Sequence, residues 1–195
     1  MVTDDLVEIR IHGRGGQGAV LTATLGAEVA FRNGYYPQAF PFFGAERRGA
    51  PVIAFLRYSS SLLMPRSRIY EPHYVLVFDA ELPQEAVLDG LREDGKILIN
   101  DSGNLSSWVK AAGGRRMYRI GASKIAADYG LIASGMPLVS SVMLGALIRL
   151  LDLSTLDIVE EALEGKFSRF GKENIQGARR GYEEVKEVNT DAVVQ

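Results

Sequence analysis

Gly13, Gly15 and Gly18 satisfy G-x-G-x-x-G where an alternating strand pattern, Val7 to Ile11, gives way to an apolar helix pattern, Ala19 to Arg32. The chemistry open to such a loop is anion binding. Unpaired N–H groups at a helix start and the helix dipole both face the loop, so Gly15 to Gly18 favours a phosphate or a carboxylate. The P-loop form of this chemistry needs G-x-x-x-x-G-K-[ST]; here Ala19 and Val20 follow Gly18, and both the lysine and the magnesium-binding hydroxyl are missing. The NAD form needs an acidic residue about 20 residues on to hold the ribose. The corresponding stretch, YYPQAFPFF, has no carboxylate, and Glu46 comes late, directly before Arg47 and Arg48. From the loop alone, glycines that merely let a helix pack closely on a sheet are an equal alternative.

Charge placement tips the balance. Arg47, Arg48, Arg57, Arg66 and Arg68 follow one another without an intervening Asp or Glu, in a chain of formal net charge -2 and sequence pI near 5.8. The planar fork of arginine suits phosphate and carboxylate, although scattered arginines are more often a solvated surface. Arg47-Arg48-Gly49 is the exception, because the glycine allows close approach to the backbone. The overall acidity removes any global electrostatic case for nucleic acid or an anionic membrane.

Other chemistry is sparse. His12 and His73 are the only histidines, neither in a metal-ligand spacing, and no G-x-S-x-G elbow occurs. No catalytic residue and no metal site is assigned. With no cysteine, the chain has neither disulfides nor thiolates for zinc or an iron–sulfur cluster. Asp79, at the end of the YVLVF run, reads as the cap of the following turn in preference to a ribose ligand. Tyr35, Tyr36, Phe40, Phe42 and Phe43 offer a ligand wall or a partner surface, with core packing the default for some of them.

The elements that must position these groups read as an α/β alternation. Strands are expected at Val52–Tyr58, Tyr74–Phe78, Lys96–Asn100 and Met117–Ile120, with helices after Pro83 to Leu91, near Trp108 and over Ser123–Tyr129. Asn33-Gly34 supplies a left-handed stop after the first helix. Residues 59–61 read as a turn into a short Leu62-Leu63-Met64 partner strand, which implies a mixed sheet. Beyond Pro137 the pattern is helical over Leu138–Leu151, Ser154–Leu163 and Glu173–Val188, with capping-box spacing from Ser154 to Asp157. The expected fold is an α/β three-layer sandwich with a mixed, mostly parallel sheet and C-terminal helices. Residues 1–195 form one domain, with 189–195 a frayed tail. The acidic N-terminus lacks a signal-peptide pattern and the apolar runs are too short to span a membrane, so a soluble cytoplasmic protein is expected.

GRGGQGAV at 13–20, QAFPFFGAERRGAPV at 38–52, VMLGAL at 142–147 and ENIQGARRGYEEV at 173–185 together resemble the gamma subunit of 2-oxoacid:ferredoxin oxidoreductases. The likeness runs over nearly the whole chain in order, and G-A-E-R-R-G is more specific than the glycine loop. It implies a subunit, inactive alone, of an oxygen-sensitive enzyme that oxidatively decarboxylates a 2-oxoacid, passes the acyl group to coenzyme A (CoA) and reduces ferredoxin. Thiamine diphosphate and [4Fe-4S] clusters then belong to partner alpha, beta and ferredoxin-like delta subunits. For this chain the resemblance implies a role in CoA engagement, through Gly13, Arg14, Gly15, Gly16, Gln17 and Gly18 of the loop and Glu46, Arg47, Arg48 and Gly49 of the second motif. Pro72-His73 stands where the family often has Pro-Asp, and Ser140-Ser141 where it has an Asn-containing turn. The aromatic-proline run resembles the pyruvate and branched-chain enzymes more than the 2-oxoglutarate or indolepyruvate ones. A free-standing NAD(P)- or flavin-binding reductase and a purely structural adaptor are the competing readings.

Overall fold

The structure is a computed structural model that describes residues 6–42, 50–62, 67–101, 103–167 and 169–189. Its centre is a strand of alternating sides. In β1 (Val7–Arg14), Ile9 and Ile11 are fully buried on one face, while Glu8, Arg10 and His12 lie on the other. The chain then enters α1 (Ala19–Arg32), which ends at Asn33 with Gly34 at φ 83°, the left-handed stop read from the sequence.

The aromatic-proline run, to which the periodicity assigns no element, is a strand. Residues Tyr36–Phe42 form β2, which pairs antiparallel with β3 (Pro51–Ser59), with Phe40 opposite Phe55 and Phe42 opposite Ile53. Tyr36, Gln38, Phe40 and Phe42 alternate here with Pro37, Ala39 and Pro41, and prolines are tolerated because β2 is an edge strand. β3 also pairs antiparallel with β1, so its two neighbours are β2 and β1, and the sheet is mixed for a different reason than a 59–64 hairpin. Residues 63 and 64 of that expected partner lie outside the described residues.

β4 (Tyr74–Val77), β5 (Lys96–Asn100) and β6 (Met117–Ile120) extend the sheet in parallel from β1, each preceded or followed by a short helix: α2 (Gln84–Leu88), α3 (Ser106–Ala112) and α4 (Ala122–Asp128). A short β9 (Lys186–Glu187) closes the far edge against β6, giving the order β2-β3-β1-β4-β5-β6-β9. All strands but β3 and β9 point the same way. The sequence pattern predicts helix over Glu173–Val188; the last helix, α7 (Gly171–Glu184), instead ends before the strand residues of β9.

Between the last parallel strand and the C-terminal helices sits an unexpected two-residue-turn hairpin, β7 (Ile132–Ala133) and β8 (Met136–Pro137). Ser134 and Gly135 both have positive φ, as the turn that matches strand twist requires. After it come α5 (Ser140–Leu151), α6 (Leu156–Leu163) and α7 (Gly171–Glu184). The capping box does not form. Thr155 takes the cap position of α6 without a side-chain bond, while Ser154 Oγ donates to the Thr155 carbonyl and accepts from Asn33 Nδ2.

The layers follow from these faces. Trp108, Val109 and Val87 of α2 and α3 pack on Val75, Val77, Ile97 and Ile99. On the opposite face Ala23, Ile125, Val142 and Met143 of α1, α4 and α5 pack on Ile9, Ile11 and Leu76. A further layer of α6 and α7 then covers α1 and α5 through Val159, Ala162, Leu163 and Ala178. α5 is thus sandwiched between helices and sheet, which explains a helix apolar all round and too short for a bilayer. No helix among the described residues is long and apolar enough to cross a membrane.

Candidate functional site

The C-terminal ends of β1, β2 and β4 and the start of β3 form one end of the sheet, and the glycine loop lies there. Gly13 is still within β1; a Cβ on it would sit 3.2 Å from both Gln17 Oε1 and Phe78 Cβ, so its role is packing. Gly16 and Gly18 have φ of 94° and 92°, which side chains other than glycine rarely adopt. Gly18 is also the cap residue of α1, and a Cβ there would come within 2.9 Å of Ser140 Cβ, so the start of α5 buttresses the loop from behind. Thr22, fully buried, fixes this junction by donating its hydroxyl to the Ser140 carbonyl at 3.0 Å.

Inside the loop the polar groups are divided between structure and solvent. Gln17 Oε1 accepts the Arg14 amide at 2.7 Å, the Gln17 amide donates to the Arg14 carbonyl at 3.1 Å, and the Gly15 amide donates to the Ala50 carbonyl at 3.0 Å. Gln17 is therefore a brace for the loop. The amides of Gly16 and Gly18 donate to no acceptor among the described residues, no side chain caps α1, and its first turn carries no acid. That combination accommodates an anion at the loop.

Walls surround the loop on the open side. Arg14, Gly15, Gly16 and Gly18 with Val20, Leu21, Thr24 and Val52 line a depression of about 470 Å³. Met136, from the unforeseen hairpin, brings its Cε to 3.2 Å from the position of a Gly16 Cβ. Leu21 and Met136 are 38% and 36% exposed, so the rim of the cradle is apolar. A larger depression of about 540 Å³ lies at the far edge among Asp101, Arg119, Gly121 and Lys186; there Asp101 pairs with Arg119, and Glu187 with Arg116.

Asp79 performs the cap read for it, accepting the Glu81 amide at 2.9 Å through Oδ1, and its Oδ2 meets Arg14 Nε at 2.5 Å. No local pattern signals this second contact, because it joins segments 65 residues apart. Glu46, Arg47, Arg48 and Gly49 lie outside the described residues. Their described flanks, Phe42 at the end of β2 and Ala50 hydrogen-bonded to Gly15, both stand at this end of the sheet.

Beneath the loop, Arg10 and His12 form a buried polar pair. Arg10 Nε donates to His12 Nε2 at 2.9 Å, and its Nη2 donates to the carbonyls of Val87 and Asp89 at 2.9 and 2.5 Å. Burial first, then the neighbouring Arg10 charge, pushes the His12 imidazole down to about 3. The imidazole is neutral with its proton on Nδ1, a structural acceptor and not an acid–base group at neutral pH.

The topology also separates this site from an ordinary dinucleotide fold. There the second strand lies beside the first and its terminal acid reaches the ribose. Here β3 runs between β1 and β2, placing Phe42 two strand spacings from His12, about 10 Å away.

The family model for pyruvate ferredoxin/flavodoxin oxidoreductase matches residues 8–184. The chain belongs to this family. Within it, the pyruvate synthase subunit PorC of Methanothermobacter thermautotrophicus is 41% identical over 191 residues, covering 95% of this chain and 99% of that one. The pyruvate/ketoisovalerate oxidoreductases common subunit gamma of Pyrococcus abyssi is 39% identical over 182 residues, covering 92% and 97%. Among solved structures, pyruvate oxidoreductase subunit PORC of Thermotoga maritima superposes with a TM-score of 0.82 at 34% identity, covering 95% of this chain and 99% of that one. The likeness to gamma-type chains is therefore end to end, with both motif regions inside the matched span.

Proposed function

We propose that this chain is the gamma subunit of a pyruvate:ferredoxin oxidoreductase, in which the glycine loop receives the diphosphate of CoA while partner subunits carry out the redox chemistry. The observation that carries the reading is the cradle itself: two positive-φ glycines, amides at Gly16 and Gly18 that meet no acceptor among the described residues, and the uncapped, acid-free start of a 14-residue helix. Full-length similarity to chains named as pyruvate synthase and pyruvate/ketoisovalerate oxidoreductase subunits supports the enzyme class.

On this reading the chain's own residues do no bond-making. Gly16 and Gly18 bind phosphate oxygens by their amides, the apolar rim of Leu21, Val52 and Met136 excludes water, and Arg47 and Arg48 add charge. Thiamine diphosphate supplies the carbanion chemistry and [4Fe-4S] clusters the electron path, both on the alpha, beta and ferredoxin-like delta subunits. With no cysteine, this chain lacks the thiolate donors those clusters use. Ferredoxin is the acceptor, and the assembly works in the cytoplasm.

Anoxic affinity purification of this chain from its native cells, with mass spectrometry of what accompanies it, tests the assignment. A thiamine-binding chain and a cysteine-rich ferredoxin-like chain are expected; recovery of this chain alone overturns it. In the assembled enzyme Gly16→Ala should raise the KM for CoA about tenfold and leave that for pyruvate unchanged, since one misplaced amide costs on the order of 1.4 kcal/mol. An assembly defect with unaltered CoA kinetics would point to a structural adaptor instead.

A further inference from the structure

The depression at the glycine loop has two walls of different chemistry. One is the loop itself, with the amides of Gly16 and Gly18; the other is Val20, Leu21 and Thr24 of α1 with Val52 of β3. Both walls belong to the α1 face of the sheet. Val52 stands opposite Gly13 in the β1–β3 register, on the same side as the buried Ala54 and Leu56 that α1 covers. The helix turns Ala19, Thr22 and Ala23 inward and leaves Leu21 and Thr24, three residues apart and so neighbours on its surface, on the open side.

The second wall offers a ligand apolar contact and little else. Its hydroxyl, Thr24 Oγ1, donates to the Val20 carbonyl at 3.0 Å, and Arg14 at the margin is paired with Asp79. A sugar hydroxyl or the edge of a base seated against Val20, Leu21 and Val52 would give up water without a side-chain partner, which costs free energy, whereas a hydrocarbon group seated there gains it. Distance selects which hydrocarbon. At the α-helical rise, Leu21 lies about 4.5 Å along the helix axis from Gly18, so the apolar group must follow directly on the phosphate held by the loop.

CoA carries such a group on one side of its diphosphate only. On the adenosine side the diphosphate is followed by a ribose; on the other, a single methylene joins it to the pantoyl carbon that bears two geminal methyl groups. NAD(P) has a ribose on both sides of its diphosphate, and no orientation of it presents hydrocarbon to this wall. We propose that Leu21, with Val20 and Val52, receives the geminal dimethyl group of CoA. The pantoyl arm then lies against α1 with the nucleoside directed away from that wall, and Leu21 makes the site selective for CoA over a dinucleotide. The inference rests on the CoA reading of the glycine loop.

Calorimetric titration of the anoxically purified complex with CoA and with the CoA analogue that has hydrogens in place of the two geminal methyl groups, in the wild type and in Leu21→Ser, Leu21→Met and Gly16→Ala, tests it. The wild type should bind CoA about tenfold more tightly than the analogue, Leu21→Ser should bring that ratio close to unity, and Leu21→Met, which keeps the apolar area, should retain most of it. Gly16→Ala should weaken both ligands by a like factor and leave the ratio intact, because both carry the diphosphate. If Gly16→Ala weakens both while the wild type does not distinguish them, or while Leu21→Ser leaves the ratio as it was, the Leu21 assignment fails and the loop reading stands. If Gly16→Ala leaves both affinities unchanged, the loop reading fails and the Leu21 assignment with it.

Discussion

Arg14 Nε lies 2.5 Å from Asp79 Oδ2, so the residue that ends β1 has its charge balanced by one just beyond β4, at the mouth of the glycine loop. Asp79→Asn separates the two tasks of this carboxylate, because an asparagine oxygen still accepts the Glu81 amide while the negative charge is gone. The site then becomes more positive. The KM for CoA should fall about threefold at low ionic strength, and the gain should vanish in high salt, where exposed charges are screened. Steady-state kinetics of the assembled enzyme at two salt concentrations checks this; a rise in KM at low salt would mean that the ion pair orders the loop more than it neutralises it.

His12 predicts an acid-side loss of stability. Its folded-state value near 3, lowered by burial and Arg10, stands below the unfolded value of 6.5. As pH falls below 6.5 the unfolded chain takes up a proton that the folded chain refuses, so stability is full above 6.5, falls between 6.5 and 3, and then levels. His12→Gln keeps an acceptor for Arg10 and removes the titration. The wild type should lose about 3 kcal/mol more than the variant between pH 7 and pH 4, read from urea midpoints at the two pH values.

What could be read in advance divides along physical lines. β1, α1, β5 and β6 announced themselves because local periodicity and their burial agree. β2 did not, since Pro37 and Pro41 are strand breakers by composition and become legible only once the edge position is known. The hairpin at Ile132–Pro137 and the two-residue β9 are too short to carry a period. The basic segment at 46–49 lies outside the described residues, and in the site the glycine loop was legible as a local motif. Arg14 with Asp79 and Met136 over Gly16 were not, because each joins segments brought together only by the fold.

Arg57 and Glu8 define a buried charge pair on the sheet face away from α1. The Arg57 side chain is fully buried, 3.5 Å from Glu8 Oε1, with its Nη2 donating to the Ser67 carbonyl and its Cζ 5.3 Å from the Phe40 ring. Removing one member strands the other, so Glu8→Ala should cost about 3 kcal/mol. The double change Glu8→Leu with Arg57→Met should cost much less, since an apolar pair of similar volume carries no desolvation penalty. A double-mutant cycle in urea gives both values, and additive losses would show that the two side chains act independently.

Among the described glycines, the one whose Cβ position comes nearest to a neighbouring backbone atom is Gly145, between α5 and α7, and it makes the last prediction. A Cβ on Gly145 would lie 1.9 Å from the Ala178 carbonyl oxygen, and one on Gly181 2.1 Å from that of Val142. Neither obstacle is a side chain that can rotate aside, so a methyl group must push two packed helices apart along the seam that also buries Ala178. Gly145→Ala and Gly181→Ala should each destabilise by about 3 kcal/mol, against a helix-propensity gain of roughly 1. Gly121, with φ -77° and no atom within 4 Å of its Cβ position, is the control, and its alanine variant should stay within about 0.5 kcal/mol of wild type. α5 begins at Ser140, against Gly18. Its displacement should therefore also weaken CoA binding in the two seam variants and not in the control, which ties a contact far from the loop to the geometry of the cradle.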